Sequence, residues 1–209
     1  MKGLYAITAS DSHNLLENVI LALQGGVRIL QYRNKNADTA QQLLEANALS
    51  SLCKEYQVCF IINDNIQLAK KVRADGVHLG RDDGSIAEAR EVLGEKAIIG
   101  VTCYQDIERA LEAEKSGANY VAFGSFFAST TKPDAPKADI ELLQQARQQL
   151  LLPICCIGGI TLQNASVLIE NGADMLAVIS SLFATENITW TTQQFSKKFQ
   201  EKKHSSYVN

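Results

Sequence analysis

An alternation along the whole chain limits its possible folds more than any other feature. Eight short apolar runs recur about every 24 residues, too widely spaced for hairpins and far enough apart for the crossover that parallel strands require. They are GLYAIT (3–8), VRILQYR (27–33), VCFIIN (58–63), DGVHL (75–79), AIIGVT (97–102), YVAFGSF (120–126), PICCIG (153–158) and DMLAVIS (174–180). Each is rich in Val, Ile or aromatic residues, as buried strands are. Between them apolar residues fall at helical spacing, as at Leu15, Val19, Ile20 and Leu23 or at Leu142, Leu143 and Ala146. Such alternation implies an α/β fold with a parallel sheet. Eight units imply a single closed eight-stranded parallel β/α (TIM) barrel, with an open doubly wound sheet as the competitor. Residues 1–196 are expected to form the barrel domain, and 197–209 the end of the last helix and a frayed tail. The units use nearly all of the 209 residues, and no appended domain is expected. The Gly-Gly pair at 25–26, Ala-Asp-Gly at 74–76, Ser-Gly-Ala-Asn at 116–119 and Asn-Gly-Ala-Asp at 171–174 stand where a helix gives way to a strand, and read as helix C-caps.

Composition removes several classes of function. The formal charge is −3 and aromatic residues make up 7% of the chain. That is neither the basic excess of a nucleic-acid binder nor the stacking surface of a single-strand binder. Five cysteines, odd in number and without a CxxC, suggest no disulfide framework or zinc ribbon. They read as small buried hydrophobes in a reducing compartment, with Cys155 and Cys156 on opposite faces of a strand. The N-terminal MKGLYAITAS has one Lys and too short an apolar run for the core of a signal peptide, so none is expected, and no run stays apolar long enough to span a membrane. The expectation is a soluble cytoplasmic protein acting on small molecules, without nucleic-acid or membrane partners. A homodimer is expected only on general frequency, since no patch marks one.

In such a barrel the active site lies at the C-terminal ends of the strands, which gathers scattered polar residues into a ring. After the second run, alternation puts Gln31, Arg33 and Lys35 on one face, an amide and two cations suited to a polyanion. The third run ends in Asn63-Asp64 and the fourth in Gly80-Arg81-Asp82-Asp83. Their carboxylates either cap the following helices or together hold Mg²⁺. Thr102 ends the fifth run, as a helix-start hydroxyl or a ligand contact, and His78 reads as a hydrogen-bonded interior histidine. The long polar stretch 127–137 contains Ser129, Thr130, Thr131 and Lys132 and reads as a mobile phosphate clamp. Gly158-Gly159 and Ile179-Ser180 end the last two runs, where barrels of this kind often bind phosphate; glycines there let a ligand approach backbone amides. Two anion sites face each other in this layout, fitting a diphosphate and a monophosphate.

The motifs QYRNK, IND, DGVHLGRDD, IIGVT, FASTTKPDAP, CIGGIT and NGADMLAVIS, in this order from about Leu4 to Ser181, resemble the thiamine-phosphate synthase family, within the synthase/thiazole tautomerase superfamily. The resemblance implies a transferase that couples 4-amino-2-methyl-5-(diphosphomethyl)pyrimidine to a thiazole phosphate. The products are thiamine phosphate and pyrophosphate. It implies that the segment Gln31, Tyr32, Arg33, Asn34 and Lys35, together with Asn63, meets the pyrimidine diphosphate. It gives Asp64 and Asp83 as Mg²⁺ ligands, Thr102 as a contact to the pyrimidine, and Ser129, Thr130, Thr131, Gly159, Ile179 and Ser180 as contacts to the thiazole phosphate. Lys132 would meet the diphosphate, and Arg33, Lys35 and Lys132 would stabilise the leaving pyrophosphate in a dissociative substitution. The common pattern Gln-Leu-Arg-Glu-Lys is altered here at Tyr32 and Asn34. Two other readings stand beside this one. A tautomerase-like relative would carry a His on the sixth strand, where this chain has none. A non-catalytic phosphate sensor on the same barrel would have no need of Asp64, Asp83 and Lys132.

Overall fold

The structure, a computed structural model, describes residues 1–9, 14–128 and 138–205. Eight strands form a closed, all-parallel barrel in chain order: β1 (Gly3–Ile7), β2 (Ile29–Tyr32), β3 (Cys59–Asn63), β4 (Gly76–Leu79), β5 (Ile98–Tyr104), β6 (Tyr120–Phe123), β7 (Ile154–Ile157) and β8 (Met175–Val178). Outside run α1 (Leu15–Gln24), α2 (Thr39–Glu55), α3 (Ile66–Val72), α4 (Ile86–Leu93), α5 (Ile107–Lys115), α6 (Ile140–Gln149), α7 (Ala165–Glu170), the single-turn α8 (Ser180–Phe183) and α9 (Ile188–Ser205). The TIM barrel read from the alternation is therefore present, and no doubly wound sheet is. The short α8 is an addition to the expected pattern. The boundary expected at residue 196 falls inside α9, where Phe195 and Phe199 are both buried. Among the described residues no helix is long and apolar enough to cross a membrane.

The strands read as continuous apolar runs because both faces are buried, as in any parallel sheet covered by helices. One face packs under the helices in the main core; the other fills the barrel with Tyr5, Ile29, Ile61, Tyr120, Cys155 and Met175 among others. Cys155 accordingly points inward and Cys156 outward. All five cysteines are free thiols, four buried and Cys59 half-buried.

The glycine-containing junctions divide into two kinds. Gly26, Gly117 and Gly172 have positive φ, as helix-ending glycines do. Gly76 is different: it lies within β4, and a Cβ there would overlap the carbonyl of Ile98. It lets two strands approach rather than capping a helix. The polar partner at three of these junctions closes the barrel floor. Asp75, Asn119 and Asp174 each directly precede an even-numbered strand. Each accepts a hydrogen bond from an amide near the start of the preceding odd strand, Phe60 at 2.7 Å, Ile99 at 2.8 Å and Ile154 at 2.9 Å.

Candidate active site

Beneath the C-terminal rim a chain of hydrogen bonds crosses the barrel. Gln31 Nε2 donates to the Tyr5 hydroxyl at 2.8 Å, and that hydroxyl lies 2.8 Å from the hydroxyl of Tyr120. Tyr120 is 3.0 Å from His78 Nδ1, and His78 Nε2 is 2.7 Å from Thr102 Oγ1. Burial drives the His78 pKa down to about 4, against the opposing charge of Asp64. Burial likewise holds both tyrosines well above their usual range. The relay is therefore neutral near pH 7, and with the Gln31 amide donating, one proton order leaves no hydroxyl or ring proton unused within it. Gln31 donates to Tyr5, Tyr5 to Tyr120, Tyr120 to Nδ1 of the imidazole, and Nε2–H to Thr102. At one end the Gln31 carbonyl oxygen is left as an acceptor, and at the other the Thr102 hydroxyl as a donor. Gly100 makes room for the relay, because a Cβ there would overlap the Tyr120 ring. Arg109 ties the strand ends beside it, donating to the carbonyls of Thr102 at 2.8 Å and Gly80 at 3.3 Å.

The charged part of the rim lies over β2, β3 and β4. Lys35 Nζ is 2.9 Å from Asp64 Oδ2. The carboxylate of Asp83 occupies the space a Cβ of Gly80 would fill, with Asp64 Oδ1 at 3.8 Å from the same point. Neither carboxylate caps a helix: Asn65 caps α3 and Ser85 caps α4. Asp64 instead stands in the left-handed region, φ 62°, where short polar side chains are tolerated. Burial, then the hydrogen bond and charge of Asp64, push the Asp83 carboxyl above its ordinary range, while Lys35 and the Gly80 backbone oppose this. Two carboxylates crowding each other in this way are relieved by a cation. Among the described residues no group of three or more His, Cys, Asp or Glu forms a closed cage. Mg²⁺ needs none, since it binds through one or two carboxylates and completes its shell with phosphate oxygens and water.

The other expected residues fall as follows. Asn63, half-buried, ends β3 in register with His78. Arg33 directly follows β2, and its amide donates to Thr8 Oγ1 at 2.9 Å. Tyr32 and Asn34, which the family pattern gives as substrate contacts, both meet α2 in this structure. Strand alternation turns them outward to α2, where both donate to Glu45 Oε2, at 2.7 and 3.0 Å. Gly158 and Gly159 have φ of 104° and 60°. Their missing side chains admit protein, not only ligand: a Cβ on Gly158 would overlap Ser125, and one on Gly159 the Ala128 carbonyl. Phe127 donates to the Gly158 carbonyl at 3.0 Å, so the segment leading to residue 129 rests on this pair. Ile179 is half-buried below the exposed Ser180, which begins α8. Ser129, Thr130, Thr131 and Lys132 lie outside the described residues.

Sequence reasoning missed Tyr5, Tyr120, Arg109 and Glu45. Tyr5 and Tyr120 lie on the inward-facing alternate positions of their runs, which was the one available signal; Arg109 and Glu45 depend on helix placement.

A family model described as thiamine monophosphate synthase matches residues 4–182. A thiamine-phosphate synthase of an Azoarcus species is 55% identical over 186 residues, 88% of this chain and 90% of its own. That of Thiobacillus denitrificans is 47% identical over 199 residues, 94% of each chain. A solved thiamine phosphate pyrophosphorylase from Pyrococcus furiosus superposes with a TM-score of 0.88 at 36% identity, covering 95% of this chain and 96% of its own.

Proposed function

The chain belongs to the thiamine monophosphate synthase family, and from that premise we propose that it couples a 4-amino-2-methylpyrimidine methyl diphosphate to a thiazole phosphate, giving thiamine phosphate and pyrophosphate. The observation that carries the reading is the meeting of Lys35, Asp64 and Asp83 at Gly80, with Arg33 two residues before Lys35 in the same turn. Cations and a carboxylate pair at one edge of the rim suit a diphosphate with its counter-ion.

The relay suits the pyrimidine. An aminopyrimidine presents a donor amino group on one edge of its ring and an acceptor ring nitrogen on another. The two open ends of the relay, the Gln31 oxygen and the Thr102 hydroxyl, present the complementary acceptor and donor. Departure of pyrophosphate leaves a pyrimidinylmethyl cation, which the thiazole nitrogen attacks. Neutral His78 places no positive charge beneath that cation. Arg33, Lys35 and Lys132 hold the leaving diphosphate and stabilise the charge it gains. Mg²⁺ held by Asp64 and Asp83 would neutralise further diphosphate charge as a Lewis acid. Asn63 borders the pyrimidine diphosphate. Ser129, Thr130, Thr131, Gly159, Ile179 and Ser180 take the thiazole phosphate. The chemistry needs no covalent nucleophile and no strong base.

The test is direct. Purified protein is incubated with both substrates and Mg²⁺, and thiamine phosphate is followed against a Lys132→Ala control. No product above the control rejects the coupling activity. Undiminished product in excess chelator rejects the metal role of Asp64 and Asp83.

A further inference from the structure

The turn between β2 and α2 carries Arg33 and Lys35, and it is clamped on both flanks. On the β1 side Thr8 Oγ1 accepts from the Arg33 amide at 2.9 Å and donates to its carbonyl at 3.1 Å. On the α2 side Glu45, in the second turn of the helix, is the hub. Its Oε2 accepts from Tyr32 and Asn34, and its Oε1 accepts from Gln41 Nε2 at 2.7 Å. Asn34 passes the restraint into the turn, because its Oδ1 accepts from the amides of Asn36 and Ala37, both at 3.2 Å. Gln42, on the same helix, donates to the carbonyls of Asn34 at 2.8 Å and Ala37 at 3.2 Å. Burial would push the Glu45 carboxyl up, but the hydrogen bonds from Gln41, Tyr32 and Asn34 outweigh it and hold it below its ordinary range. The hub is thus a carboxylate near pH 7, and hydrogen bonds to a charged acceptor are the strong kind.

We propose that Glu45 is a positioning residue: by holding Tyr32, Asn34 and Gln41 it sets the shape of the turn, and with it the placing of Arg33 and Lys35 around a diphosphate. Tyr32 and Asn34 act through this hub rather than on substrate. The inference rests on the reading of the rim as a diphosphate site and names the residues that shape it. Lys35 meets Asp64 at the rim, Arg33 stands two residues before it in the turn, and Tyr32 and Asn34 meet Glu45 of α2. A change at the hub therefore reaches both cations without touching the ligand.

The experiment has two parts. Titration calorimetry with inorganic pyrophosphate and Mg²⁺ reads the grip without turnover, and steady-state kinetics gives KM for each substrate separately. Glu45→Ala is expected to weaken pyrophosphate about tenfold and to raise KM for the pyrimidine diphosphate by a similar factor, with KM for the thiazole phosphate unchanged. Asn34→Glu, which sets a second carboxylate against the first, is expected to do the same. Adding Glu45→Gln to it should restore binding to within about twofold of wild type. If Glu45→Ala does not fold, Tyr32→Phe, which deletes one hydroxyl, carries the test with a rise of about threefold. Unchanged pyrophosphate affinity in the folded variants overturns the proposal. So do equal shifts in both KM values, failure of the Gln rescue, or a wild-type protein that does not bind pyrophosphate. A wild-type protein that binds pyrophosphate but makes no thiamine phosphate rejects the proposed activity, while the affinities of the variants still decide the role of Glu45.

Discussion

Acidification should destabilise this protein through one interior histidine, by an amount the relay allows to be worked out. His78 lies between Tyr120 and Thr102 with both ring nitrogens engaged. Its pKa falls from 6.5 to about 4 on folding, because burial disfavours the imidazolium more than the Asp64 charge favours it. Over the interval between those values the unfolded chain binds the proton and the folded chain does not. The contribution is therefore full above about pH 7, declines as pH falls through 6.5, and is exhausted near 4. Two and a half pH units correspond to about 3 kcal/mol in all, of which about 2 kcal/mol is lost by pH 5. The assay is urea unfolding of wild type and His78→Gln in chelator-containing buffer between pH 7.5 and 5. Groups that titrate alike in both proteins cancel in the difference. At pH 7.5 the variant should be weaker by about 1–3 kcal/mol, since one amide cannot serve both buried hydroxyls in the ring's geometry. By pH 5 the gap should shrink by about 2 kcal/mol. A gap that stays constant across the range refutes a neutral, burial-depressed His78 and the proton order built on it.

Three further outcomes are expected. Gly100→Ala drives a methyl group into the Tyr120 ring and should cost about 1–3 kcal/mol, a fall of several degrees in Tm by thermal melt; an unchanged Tm would show that the ring has room to move. The Cys53, Cys59 and Cys103 thiols are pushed up to about 12 by burial; a thiol-specific disulfide reagent at pH 8 should find almost no reactive cysteine in the native protein and all five in urea. Asp174→Ala removes the acceptor of the Ile154 amide and the partner of Arg147. It should lower unfolding stability by about 1–2 kcal/mol, mostly through the amide, with pyrophosphate binding at the opposite end of the barrel unaltered.

The strands were legible because burial on both faces writes each one as an apolar run. Lys35, Asp64 and Asp83 were legible because the strand-end rule gathers residues that are far apart in sequence. The period that puts Gln31, Arg33 and Lys35 at odd positions puts Tyr32 and Asn34 at even ones, and both of these meet α2 at Glu45. The Tyr5–Tyr120 contact could not be read. It joins residues 115 apart, and only the barrel's closure and register bring them together. Gly76 read as a cap because the spacing of a helix end and of a close strand contact is the same; the Ile98 carbonyl distinguishes them.

The floor of the barrel has a consequence for how the chain can be divided. Asp75, Asn119 and Asp174 each bind an odd strand to the even strand that follows it, joining β3 with β4, β5 with β6, and β7 with β8. Among the described residues no Asp or Asn anchor of this series crosses from β4 to β5 or from β6 to β7; there the side-chain ties come from helices, Arg90 of α4 to Asn119 and Glu114 of α5 to the Leu151 and Leu152 amides. By the anchors alone, the strands from β3 to β8 group two by two. Cutting, permuting or grafting the barrel in the connections after α4 or after α6 keeps each of these anchors in one fragment with the strand it holds, whereas a cut after α3 or α5 separates a strand from its own anchor.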